Sequence, residues 1–299
     1  MSKMGRHSVD DIGADLAGEK PNPLLSIVSH AVLIVVSVVV LYPVLWVVRM
    51  ALSPSQSFAS GLSPIPEQVT LQNFVDVVGK TDLQGTWVFG HQLLNSLVIS
   101  GATAVVGVGL ATSAAYAFSR FKFPGGDLGL KALLVTQMFP GTMMMIPLYI
   151  LLDKLNLLDT QLGLILVYAT TSIPFSTFML KGYFDTIPGE LEEAARMDGA
   201  STTRIFFSII LPLARPAIAI TALFSFMTAW NEFILAAKLM NTETSYTLPV
   251  VLQGYVGAKS TAWGHFAAGA VLVSAPVMAL FFALQKHLVA GLTSGGVKG

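Results

Sequence analysis

The sequence contains no cysteine, and only 11% of its 299 residues are charged, against roughly 25% in an ordinary soluble domain. The first absence excludes disulfides, cysteine-ligated iron–sulfur clusters and thiol nucleophiles. The second excludes a chain kept in water by a charged surface. Basic and acidic residues both total 17, for a formal net charge of zero, so no basic excess marks a nucleic-acid binder. No G-x-x-x-x-G-K-[ST] loop is present to cradle a nucleotide's phosphates, and the five histidines lack the H-E-x-x-H spacing of a metal site. What is present is apolar: 54% of the residues are hydrophobic and the mean hydropathy is +0.69.

A hydrocarbon core about 30 Å thick takes ~20 apolar residues of helix. Six stretches suit: 24–48, 93–118, 132–152, 162–180, 212–237 and 263–285. The first is too long for a signal-peptide core, is not followed by a good cleavage site, and is expected to stay as a span. The fold class expected is an all-α integral membrane protein of six transmembrane helices. A polar cytoplasmic arm (1–23) precedes the membrane domain (24–285), and a short cytoplasmic tail (286–299) follows it.

An even number of spans puts both termini on one side. With that side cytoplasmic, the segments there carry Lys3, Arg6, Lys20, Arg120, Lys122, Lys131, Lys181, Arg196, Arg204, Arg215, Lys286 and Lys298. Only Arg49, Lys80, Lys154, Lys238 and Lys259 lie on the other side. This is the asymmetry of the positive-inside rule. Both ends are therefore placed in the cytoplasm; the membrane expected is a bacterial cytoplasmic (inner) membrane. Two external segments, 53–92 and 238–263, are long enough to meet something outside the membrane.

Between the fourth and fifth spans lies "EEAARMDGASTTRIFFSIILPLARP", Glu192 to Pro216. Pro188 suits the first position of a helix, with Asp185 or Thr186 as caps. Glu190, Glu192 and Glu193 complement the positive end of the helix dipole. Gly199 suits the left-handed residue that ends such a helix, and Ser201 can cap another beginning near Thr202. Leu191, Ala194, Ala195 and Asp198 are expected on one face, small enough to enter a groove. So short a helix is not stable alone in water and must rest against something. Pro212 and Pro216 then interrupt the ladder as the chain re-enters the bilayer, a routine kink or a hinge into the fifth span.

Glu193-Ala194-Ala195, Gly199, Ile209 and Leu211-Pro212 fall at the spacing of the EAA–G–I–LP signature. On these residues the chain resembles the permeases of ATP-binding-cassette importers. "QMFPGTMMMIPLYILLDKLNL", "WNEFILA" and the tail "GLTSGGVKG" are similar to the carbohydrate group, and within it to the MalG-type permeases of maltose and maltodextrin. The resemblance implies a non-catalytic subunit that binds no cofactor, with ATP and Mg on a separate ATPase dimer (MalK-like). It also implies a second, related permease (MalF-like) and an extracytoplasmic sugar-binding protein. It assigns ATPase coupling to Glu190, Glu193, Ala194, Ala195, Asp198, Gly199, Ile209, Leu211 and Pro212. Further ATPase contact would come from the tail, Gly295, Gly296, Val297, Lys298 and Gly299, expected to be neither helix nor strand. Gly254, Tyr255, Gly257 and Lys259 would meet the binding protein.

Asn231 and Glu232 sit toward the outer end of the fifth span, where an ionisable residue either faces protein or water and marks function or lies at the interface and merely ends the span. Gln137 and Phe139 interrupt the third and, by the resemblance, join them as candidates for the translocation path, although a pair such as Met138 and Phe139 more often serves packing. The small residues Gly107, Ala111, Ala114 and Ala115, and Gly264, Ala267, Ala268 and Ala275, read as helix-packing stripes. Two other classes are weighed. An intramembrane enzyme would need a nucleophile–base or carboxylate pair within the spans, which offer no acid beyond Glu232. A self-contained secondary transporter would show internal repeats and buried coupling charges.

Overall fold

The computed structural model describes residues 23–58, 61, 63–257 and 261–296. Among them there are no strands, only two isolated bridges, Thr81 with Trp87 and Val256 with Thr261. Four unbroken helices are long and apolar enough to cross a membrane. They are α1 (Pro23–Leu52), α3 (Val88–Arg120), α6 (Gln161–Phe184) and α13 (Trp263–Gly296). A short helix, α2 (Gln72–Val78), lies between the first two.

The third and fifth expected spans are broken. In the third, α4 (Gly126–Thr136) and α5 (Gly141–Lys154) meet at 98°. Pro140, at the break, has no amide proton to donate and disfavours helical backbone at the residue before it. In the fifth, α8 (Thr202–Ile205), a π-helical turn (Phe206–Ile210) and α9 (Leu211–Leu213) lead into α10 (Arg215–Asn231) across a bend of 76°. Pro212 and Pro216 flank that bend. At 1.5 Å per residue, the 17 residues of α10 reach about 25 Å, at the short end of what a span needs. Counting each bent pair as one span gives six. The last helix continues to Gly296, so the tail from Leu292 is helical that far, contrary to expectation. Once a helix is nucleated, each further residue adds a hydrogen bond.

Hydrophobicity alone does not drive helices together in lipid, so the contacts rest on close packing and polar bonds. The buried stripe of α3 runs Ser96, Ser100, Thr103, Ala104, Gly107, Val108, Ala111 and Ala115, with α6 and α10 packed along it. At Gly107 an added Cβ would lie 3.1 Å from Ser172 Oγ of α6 and 3.8 Å from Ser225 Oγ of α10. These two hydroxyls are 2.6 Å apart and tie the three helices at one level. Ala267 and Ala268 of α13 are likewise fully buried, against Phe226 and Trp230 of α10. The long apolar face of α1, by contrast, is exposed from Ile27 to Leu45.

Candidate coupling and translocation sites

The EAA segment folds as the short helix α7 (Glu190–Met197). Its C-terminus is a Schellman turn: Gly199 has φ +82°, its amide returns to Arg196 O at 3.0 Å, and the Ala200 amide returns to Ala195 O at 2.9 Å. Ser201 Oγ then accepts from the Arg204 amide at 3.3 Å and caps α8. The expected N-terminal caps are not used. Asp185 instead takes Ser119 Oγ at 2.6 Å and Lys181 Nζ at 2.7 Å. Burial pushes its carboxyl up, but these two partners outweigh that push and leave it below the ordinary value of 3.8.

The four residues expected on one face of α7 are divided. Ala195 is buried in a cluster with Ala115, Tyr116, Phe184 and Ile205, whereas Leu191, Ala194 and Asp198 are exposed. The physical reason is the anchor one turn away. Glu192, which the motif does not single out, is only 2% exposed. Its carboxylate accepts from Tyr116 Oη at 2.9 Å and from Arg120 Nε at 2.5 Å, both on α3. Arg120 also donates to Ile187 O at 2.8 Å, and Arg196 lies 3.5 Å from the same carboxylate. The outward face of α7 is then Glu190, Glu193, Ala194, Met197 and Asp198, with Met197 84% exposed. Ile209 and Leu211 are half-buried beyond Gly199, and Pro212 sits just before the bend. Composition alone does not separate Glu192 from Glu193. The signal that could have done so is the periodicity that puts Glu192 and Ala195, three apart, on one side.

At the other end of α10, Glu232 leaves the helix in extended conformation. It takes Tyr168 Oη at 2.6 Å on one oxygen and the Leu235 amide at 2.9 Å on the other, opening the turn into α11 (Ala236–Leu239). With Thr103, Tyr168, Thr171, Ser172 and Ser225 it lines a cavity of about 430 Å³. Thr103 Oγ1 is buried there without a hydrogen-bond partner. Gln137 and Phe139 line a second cavity of about 770 Å³, which shares Pro140, Gly141, Thr171 and Leu235 with the first. Three of the four path candidates thus stand around adjoining hollows. Asn231 lines neither and is exposed.

The segment expected to meet a binding protein follows α12 (Leu248–Gly254). Gly254 closes that helix, Tyr255 is half-buried with its ring 5.7 Å from His265, and Gly257 O accepts from Thr261. Burial raises the Tyr255 phenol above its ordinary value of 10. Lys259 lies outside the described residues, as do Val297, Lys298 and Gly299. Gly295 and Gly296 are the last residues of α13. The loop before α12 is stitched down: Gln92 donates to Glu243 O at 3.0 Å, Asn95 to Thr244 O at 2.7 Å, and Lys80 pairs with the Glu243 carboxylate.

Residues 105–294, from the middle of α3 through the EAA helix into the last turns of α13, match the family described as "Binding-protein-dependent transport system inner membrane component". The chain belongs to that family. It is a multi-pass membrane protein of the all-α permease fold. It is 40% identical to the galactooligosaccharide transport system permease protein GanQ of Bacillus subtilis, over 91% of this chain and 95% of that one. It is 36% identical to the maltose/maltodextrin transport system permease protein MalG of Escherichia coli, with the same coverage of both chains. A trehalose permease of Mycobacterium tuberculosis, SugB, is 38% identical over 87% of this chain and 93% of its own. Among solved structures, a bacterial ABC transporter that imports the acidic polysaccharide alginate superposes with a TM-score of 0.73 at 23% identity. The superposition covers 90% of this chain and 98% of that one.

Proposed function

We propose that this chain is the permease subunit of an ATP-driven, binding-protein-dependent sugar importer, with maltose or maltodextrin as cargo. The observation that carries the reading is the two-sidedness of α7. One side is fixed to α3, and the other offers Glu190, Glu193 and Met197 as an outward patch. A short amphipathic helix of this kind suits a helix-in-groove contact. ATP and Mg would then be handled by a partner ATPase, and this chain would couple to it without catalysing hydrolysis. Both termini lie in the cytoplasm in this reading, on the charge asymmetry given above.

Six spans make half of a path, completed by a second, related permease. On this chain's side the hydroxyls of Thr103, Thr171, Ser172 and Ser225 beside Glu232 suit a polyhydroxylated cargo. The segment from Gly254 to Lys259 would meet an extracytoplasmic binding protein. A solved alginate transporter complexed with a pentasaccharide-bound periplasmic protein, 15% identical with a TM-score of 0.56, is a fold neighbour. The C-terminal residues Gly295 to Gly299 would reach the ATPase. Maltodextrin is favoured by the tail motif and the MalG likeness, while the higher identity to GanQ supports galactooligosaccharide as the second reading.

Proteoliposomes holding this chain and its co-purified subunits decide between them. ATP-dependent uptake of maltotriose, with galactooligosaccharide excluded, is expected. The reverse preference moves the cargo, and the absence of any co-purifying ATPase sinks the importer reading.

A further inference from the structure

The docking helix α7 is joined in sequence to α10, through α8, the π-helical turn and the 76° bend. Its strongest polar bonds go elsewhere, to the end of α3. Glu192 is the charged group most deeply buried in the described chain, and Tyr116 and Arg120 of α3 take both of its oxygens. Arg120 in turn holds Ile187, just before α7, so one guanidinium grips the helix and the segment leading into it. The Tyr116 ring also lies 4.9 Å from Phe206, the first residue of the π-helical turn, and 6.3 Å from Phe184 at the end of α6. A buried ion pair with all its partners in place is a poor source of net stability but a strong constraint on geometry.

We propose that Glu192, Arg120 and Tyr116 are positioning residues forming a fixed joint between the docking helix and α3. On this reading, motion imposed on α7 enters the helix bundle through α3, and the bend at Ala214 serves as the compliant link. The proposal rests on α7 being an ATPase-docking helix. It adds residues outside the outward patch, whose bonds are made within this chain.

Three variants of the intact transporter complex test it: Glu192→Gln, Arg120→Lys and the two combined. Each is assayed for ATPase retained on purification and for ATP hydrolysis stimulated by sugar and binding protein, per assembled complex. Arg120→Lys keeps the charge, yet a lysine cannot hold Glu192 and Ile187 with separate nitrogens. Each single variant should retain the ATPase but lose stimulation by about tenfold, within the range of coupling free energies. The double should lose no more than the worse single, because residues of one network are not additive. A purely structural role would lower the yield of complex and leave stimulation per complex unchanged. Stimulation within about twofold of wild type, or losses that multiply in the double, overturns the joint. So does loss of the ATPase in Glu192→Gln, which would make Glu192 a docking residue. Met197→Arg, on the outward patch, tests docking separately: if it retains ATPase and full stimulation, the docking reading fails and the joint falls with it.

Discussion

The Tyr168 phenol donates to Glu232 Oε2 at 2.6 Å, joining the middle of α6 to the end of α10. The same carboxylate receives the Leu235 and Ala236 amides, so the ionisable side chain that ends α10 is fully engaged. Glu232→Ala should leave a buried phenol without its acceptor, at a cost of about 1–3 kcal/mol. Glu232→Gln keeps an acceptor and should lose less. Thermal unfolding of the purified complex checks both, and an Ala variant that melts with wild type would remove the capping role.

Gly107 sits where α3, α6 and α10 cross. A Cβ there meets Ser172 Oγ at 3.1 Å, a gap the side chain can open by a small shift, so Gly107→Ala should be tolerated. Gly107→Leu cannot be accommodated without moving a helix and should destabilise by about 1–3 kcal/mol, as overpacking does. Equal melting temperatures for the Leu variant and wild type would show that the three helices are not locked at this level.

Much of this arrangement was legible in the residues. The glycine turn at 199 and the serine cap at 201 appear where local chemistry demands them, because both signals are contained within a few positions. The apolar stretches show where the membrane is crossed. Hydropathy averaged along a stretch cannot register a bend, however, and the 98° and 76° breaks lie beside Pro140 and between Pro212 and Pro216, whereas Pro174 and Pro276 sit inside unbroken helices. The anchoring role of Glu192 is not legible locally, because its partner Arg120 is 72 residues away. The three-residue spacing to Ala195 marks Glu192 as the inward glutamate, but only the distant contact shows what it binds.

The Schellman turn after α7 gives a direct test of the glycine. With φ at +82° and nothing within 4 Å of an added Cβ, the obstacle at Gly199 is the backbone conformation alone. Gly199→Val should therefore cost about 1–2 kcal/mol, and Gly199→Asn less, since asparagine visits this region more readily. Expressed alone, both should insert normally. Once ATPase subunits are present, the valine variant should retain less of them on purification. Equal retention by the two variants and wild type would separate this turn from docking.

Asp76 links α2 to the start of α13. Gln72 Nε2 donates to its Oδ1 at 2.7 Å, and His265 Nε2 lies 3.1 Å from Oδ2. The Gln72 hydrogen bond, followed by that from His265, holds the carboxyl below 3.8. A carboxyl depressed in the folded state stabilises the fold above its unfolded value, and that contribution fades as pH falls through the folded value. The stability gap between wild type and Asp76→Asn should thus be present at neutral pH and close below pH ~4. A gap that is unchanged down to pH ~3 would show that the carboxylate's charge is not what holds the contact.

Orientation is open to the simplest test, because a chain without cysteine reports one engineered thiol at a time. Leu83, in the loop between α2 and α3, is fully exposed, and Met197 at the end of α7 is 84% exposed. Both can accept a thiol without disturbing packing. One membrane crossing, α3, separates the Leu83 loop from the basic run at Arg120 and Lys122. The α6 crossing returns the chain to that same basic side before α7. Charge asymmetry then places Leu83 outside and Met197 inside. An impermeant maleimide added to intact cells should label Leu83→Cys and spare Met197→Cys. After permeabilisation both should react. Labelling of Met197→Cys alone in intact cells would invert the topology and put the outward patch of α7 beyond the reach of any cytoplasmic ATPase.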